Sequence, residues 1–171
     1  MKYSIMLFFS LAATSVISYG QDTTKLNRTP YKLTLAVDKK TFYEEELKAT
    51  PYVLPDNSVQ LYPGETVYVE IEQENGVIKS VIAVKDNVKP ERTLIISFSQ
   101  NIKNKVHESM MLKVTNPFSQ NLVYKATIFL LKQKKWVATD VYPVEAALSA
   151  FEIWPDPIIS IALGKWTFQN K

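Results

Sequence analysis

The chain has 171 residues with 20 basic and 17 acidic side chains, one histidine and no cysteine, for a formal charge of +3. The missing cysteine excludes disulfides, a lipid-modified leader, thiolate zinc sites and nucleophilic cysteine chemistry. Charges of both signs are interspersed, with no basic stripe of the kind nucleic acid requires.

The first element is a leader. Lys2 precedes an apolar run from Ile5 to Ile17, which matches the core of a secretory signal and is shorter than the ~20 residues of a membrane-spanning helix. Ser18 and Gly20 supply small-x-small spacing before Gln21. The expectation is a signal peptide over residues 1–20 and a mature chain over 21–171, exported to the periplasm or the outside of the cell, without stable membrane insertion. A chain of that length buries roughly 70% of its unfolded surface and is expected to form one domain.

Period-two alternation then dominates. In "YKLTLAVD", Tyr31, Leu33, Leu35 and Val37 share a face, as in a half-buried strand. "TFYEEELKA" carries a capping box, Thr41 with Glu44, and is expected to form a short helix, followed by a meandering connection through "TPYVLPDNSVQLYPGE". The three adjacent carboxylates Glu44, Glu45 and Glu46 read as a solvated run, because neighbouring residues diverge. "ETVYVEIEQENGVIKSVIAV" is a hairpin. Val67, Val69 and Ile71 alternate with Glu70 and Glu72, and Asn75-Gly76 provides the two positive-φ positions of a type I′ turn.

Leu94, Ile96 and Phe98 mark the next strand, and Met110, Leu112 and Val114 the one after it. "MLKVTNPFSQNLVYKATIF" reads as strand, polar turn and strand. Asn116-Pro117 breaks the ladder, Phe118 stands at the loop tip, and Tyr124 lies on the inward face with Ala126, Ile128 and Leu130. Val123, Phe129 and Leu131 on the opposite face mean that this strand is covered on both sides. "KQKK" at 132–135 reads as a solvated turn, "WVATDVYPV" and "PIISIALGKWTF" complete the series, and Gly164 marks a bulge. Seven or eight short strands with almost no helix point to an all-β antiparallel sandwich.

The segments "LYPGETVYVEI", "PERTLIISF" and "LKVTNPFSQNLVYKATIF" resemble bacterial immunoglobulin-like domains over roughly residues 58–131. The resemblance implies an immunoglobulin-like fold and carries no catalytic residue, since such sandwiches host unrelated functions.

The chemistry-bearing residues are few. His107 is the lone histidine, too little for a zinc site, and no G-x-S-x-G elbow accompanies it. The four glycines are scattered, so no phosphate-cradling loop exists. Asp140, Glu145, Glu152 and Asp156 could act as a calcium site or a hydrolytic pair only if the fold gathered them. Trp136, Trp154 and Trp166, with Phe118, are the candidate contacts to a protein or a cell-envelope glycan, and the alternative for the three tryptophans is core packing. The expectation is an exported, non-catalytic interaction or structural module without cofactor or metal, with a carbohydrate-binding module as the second reading.

Overall fold

The computed structural model describes residues 26–169. The expected signal peptide and the expected start near Gln21 lie outside the described residues. Alternation of apolar and polar residues yields eleven strands and no α-helix among the described residues: β1 (Tyr31–Ala36), β2 (Phe42–Leu47), β3 (Val59–Leu61), β4 (Glu65–Glu74), β5 (Val77–Val84), β6 (Thr93–Lys103), β7 (Val106–Thr115), β8 (Asn121–Leu130), β9 (Lys135–Thr139), β10 (Ser149–Trp154) and β11 (Ile158–Gln169). The expected count of seven or eight is corrected to eleven, because β2, β3 and β10 are short and carry charge or flank prolines.

The strands form three antiparallel sheets: a pair β1-β2, a five-stranded sheet β10-β7-β6-β4-β5 and a four-stranded sheet β3-β11-β8-β9. The two larger sheets contribute their inner faces to one core. Val67, Val69 and Ile71 of β4, Leu94, Ile96 and Phe98 of β6 and Met110, Leu112 and Val114 of β7 meet Leu122, Tyr124, Ala126 and Ile128 of β8 and Ile161 and Leu163 of β11. The alternation expected for β4 and β6 to β8 holds residue for residue.

Turns follow their local chemistry. Asn75 and Gly76 adopt φ of 52° and 77° between β4 and β5, which is the twist a two-residue hairpin needs. Gly164 lies at a register shift in β11, and a Cβ there would sit 2.5 Å from Ser58 Oγ and 3.3 Å from Ser58 Cβ, so the Ser58 side chain packed against it leaves no room for a larger residue without moving.

Residues 42–47 correct the helix expectation. Asp38 Oδ1 accepts from the backbone N–H groups of Lys40 and Thr41, both at 2.9 Å, and Val37 N–H bonds Thr41 O at 3.0 Å, so the local cap closes a hairpin turn instead of opening a helix. Pairing with β1 then overrides propensity, with Lys32 Nζ 2.8 Å from Glu44 Oε2. The β1-β2 pair packs Leu33, Leu35 and Leu47 onto Ile159, beside Tyr62, Phe129 and Leu131. Phe129 and Leu131 are thus covered by this pair, as the two-sided pattern of β8 required.

Residues 111–129 are not a hairpin. β7 belongs to the five-stranded sheet and β8 to the four-stranded one, so the segment 116–120 crosses between layers. Asn116, 1% exposed, holds the crossing: Nδ2 donates to the carbonyls of Gln120, Val144 and Glu145 at 2.9, 3.1 and 3.2 Å, and Oδ1 accepts from Phe118 N–H at 3.0 Å. These bonds turn Phe118 inward, where its ring meets Phe168 edge-on with centroids 4.8 Å apart. Its expected position at a loop tip is corrected: Phe118 is a core residue.

A buried cation fixes the start of the described chain. Arg28 is 2% exposed, bonds Glu65 Oε1 through Nε at 2.9 Å, and donates to Thr50 Oγ1 and to Gln60 O. Its guanidinium lies over the rings of Tyr52 and Tyr62, 4.8 and 4.9 Å from the centroids. Glu65 Oε2 accepts in turn from Tyr62 N–H. Burial, reinforced by the Glu65 carboxylate, pushes the Tyr31 phenol well above its ordinary range.

Candidate interaction edge

The four sequence candidates separate in space. Trp166 is buried, donating its indole N–H to Asn57 O at 3.0 Å and lying 5.3 Å from the Tyr124 ring. With Phe118 it fills the core, and neither offers a contact surface. Trp154 is half-buried, its indole N–H on Thr139 Oγ1 at 3.0 Å, and it bridges the edges of the two sheets. Trp136 alone of the three tryptophans is exposed, its ring 5.4 Å from that of Phe129.

The polar candidates do not assemble either. Glu152 accepts from Tyr142 N–H, Asp156 lies 3.7 Å from Lys132 Nζ, and among the described residues no three of His, Asp and Glu gather closely enough to hold a metal ion. His107 sits near the start of β7, where its function is connection. Gln100 pairs its amide with both backbone groups of Ala36, which fixes the amide nitrogen toward His107 Nδ1 at 2.8 Å. His107 Nδ1 therefore accepts, and Nε2–H donates to Pro155 O at 2.9 Å.

The feature that sequence reading missed is β10. Its residues alternate in an inverted sense: Ala150, Glu152 and Trp154 are half-buried, while Phe151 and Ile153 stand 56% and 63% exposed on the outer side. Leu148 and Tyr142 beside it are also exposed. Lys113 of β7 places its ammonium 5.6 Å from the Phe151 ring centroid, an exposed cation–π contact. The sequence signal was present in "SAFEIW", but Glu152 and the following Pro155 and Pro157 hid it.

β10 ends its sheet, paired with β7 on one side only. The hydrogen-bond phase follows from the geometry. Leu148 O accepts from Asn116 N–H at 2.9 Å, in line with the Ser149↔Thr115 register. Alternation then directs the backbone groups of Ala150, Glu152 and Trp154 toward β7, and those of Ser149, Phe151 and Ile153 away from it. An unpaired row of N–H and C=O groups flanked by large apolar side chains is a template for another strand.

The other ends of the two larger sheets are protected. β3 has three residues and is covered by the segment before it, through the Val53↔Val59 bridge and the Gln60 N–H bond to Tyr52 O. β5 carries Lys79 and β9 carries Lys135, the charges that commonly blunt an edge. β10 has neither lysine nor internal proline.

No family model matches the chain, and no curated protein or solved structure matches it.

Proposed function

We propose that this chain is an exported, non-catalytic interaction module, an immunoglobulin-like sandwich that takes up an extended segment of a protein partner along β10. The carrying observation is that β10, alone among the ends of the two larger sheets, combines a free backbone row with large exposed apolar side chains, Phe151 and Ile153, and no protecting lysine. The immunoglobulin-like reading is supported by the two antiparallel sheets around one core and by the crossing between layers at 116–120. Export is supported by the apolar leader after Lys2. The bound partner is protein; nucleic acid has no basic stripe to meet.

Photo-crosslinking from position 153, in cell-envelope extract of the source cell, tests this. The expected result is protein adducts that vanish when Phe151→Lys is added. Adducts that persist in Phe151→Lys, or that form equally from position 82 on β5, contradict the reading. The second reading, glycan binding, rests on the exposed Trp136 ring against Phe129. It requires that tryptophan fluorescence respond to envelope glycans and that Trp136→Ala abolish the response.

A further inference from the structure

We propose that the strand β10 takes up is β10 of a second copy of this chain, paired antiparallel about a two-fold axis through Phe151. The inference rests on the edge-binding reading above and names its partner.

A two-fold axis perpendicular to a sheet preserves its faces, so each residue meets one from the same side of the partner strand. Only registers centred on a residue satisfy this. Within β10 the centres that keep a useful overlap are Ala150, Phe151, Glu152 and Ile153.

Charge and hydrogen bonding choose among them. A centre at Glu152 sets two carboxylates directly opposite each other, and like charges so placed are destabilising. It also sets Ser149 against Pro155, which has no N–H to give. A centre at Ile153 brings that proline opposite Phe151, and a centre at Ala150 leaves only three in-strand pairs.

The centre at Phe151 has none of these faults. It pairs Ser149 with Ile153 of the second copy, Ala150 with Glu152, and Phe151 with itself, and it carries on to Leu148 against Trp154. The only charge of the strand, Glu152, then meets an alanine. Ser149, Phe151 and Ile153 are the residues whose backbone groups point outward, so every one of them finds a bonding partner. On the outer face the row becomes Lys113, Phe151, Phe151, Lys113 across the seam, with each ammonium kept over its own ring and the two rings in contact. The exposed apolar residues of the edge are covered by their own counterparts, which is the self-complementarity an isologous interface requires. A seam of one short strand pair is a small interface, so the dimer is weak and concentration-dependent.

The absence of cysteine provides a clean test. Ala150→Cys and Glu152→Cys are made as separate chains, which leaves Phe151 in place. In the register centred on Phe151 these two positions face each other as a closely spaced, non-hydrogen-bonded pair, within disulfide reach. Each position is offset from its own copy by two residues, a diagonal separation of roughly 7–8 Å that lies beyond easy disulfide reach. On mild oxidation of the mixture, mass spectrometry should find the mixed disulfide in roughly tenfold excess over either self-disulfide. Sedimentation of the unmodified chain should show a monomer–dimer equilibrium that Phe151→Lys abolishes. Self-disulfides equal to the mixed one, or a chain that stays monomeric into the millimolar range, overturn the proposal. If that happens while crosslinks from position 153 still depend on Phe151, only the identity of the partner is wrong. If those crosslinks fail as well, the edge reading itself falls.

Discussion

Replacing Asn116 by aspartate changes the shape of the crossing between the two sheets very little and its chemistry completely. The side chain is 1% exposed, and its amide nitrogen is surrounded by the carbonyl oxygens of Gln120, Val144 and Glu145. A carboxyl at this place keeps the bond from Phe118 N–H, but it has at most one proton for those carbonyls. In the protonated form roughly one net hydrogen bond is lost, ~1 kcal/mol. In the ionised form an uncompensated charge faces three carbonyl dipoles, so the folded-state pKa of the new carboxyl rises. A rise of ~2–3 units costs a further ~3–4 kcal/mol at neutral pH. Total stability for such domains is about 5–15 kcal/mol, so Asn116→Asp should be severely weakened.

The sign of the pH dependence follows from linkage. Below the unfolded carboxyl pKa of ~3.9 both states are protonated and the ionisation penalty is absent; it grows as pH rises above that value until the folded-state pKa is passed. Urea melts of the variant and the unmodified chain, compared at pH ~4 and pH ~7, should therefore show the larger difference at pH ~7. A difference below ~1 kcal/mol at neutral pH, or one that does not change with pH, would refute the claim that Asn116 Nδ2 holds the crossing.

Three further outcomes follow from the core and the buried ion pair. Phe118→Ala, which removes a ring packed on Phe168, should cost ~3–5 kcal/mol in urea melts, comparable to Tyr124→Ala; a loss under ~1 kcal/mol would return Phe118 to the surface. Arg28→Leu strands the buried Glu65 carboxylate and should cost ~3–5 kcal/mol, and adding Glu65→Gln should recover part of that loss; additive losses in the double-mutant cycle would contradict the pairing. Burial, with the Glu45 contact second, pushes the Tyr43 phenol up to about 12, and burial holds Tyr31 and Tyr124 above the ordinary range. An acid with a raised folded pKa loses stability once pH passes its unfolded value, so melts should show stability falling above pH ~10, and residue-resolved ring signals of Tyr31, Tyr43 and Tyr124 should stay those of the neutral phenol until the chain unfolds; phenolate formation at ordinary pH by these three in the folded chain would be the contrary result.

Alternation made most of the layered core legible. Val67, Val69 and Ile71, or Leu94, Ile96 and Phe98, needed only period two and a buried face. What escaped were the features set by partners far away in sequence. Thr41 and Glu44 matched a helix start, and only β1 on the other side of the Asp38 turn makes 42–47 a strand. Asn116-Pro117-Phe118 looks the same locally whether the chain turns back in its own sheet or crosses to the other; the carbonyls of Val144 and Glu145 decide it. Arg28 gave no signal at all, because its partners Glu65, Thr50 and Gln60 lie 22 to 37 residues away. The candidate site suffered most. Tryptophans were weighed as contacts for their size, yet Trp166 plugs the core, while the smaller Phe151 and Ile153 stand outside.

The central claim is that β10 offers a bonded side to β7 and a free side to a partner, and residue-resolved amide hydrogen exchange tests it most directly. In dilute protein the amides of Ala150, Glu152 and Trp154 should be protected and those of Ser149, Phe151 and Ile153 should exchange freely, and on raising the concentration of the chain the second set should become protected while β5 stays unchanged. Uniform protection along β10 in the dilute chain, or free exchange of Phe151 and Ile153 at every concentration and with every envelope partner tried, would contradict it.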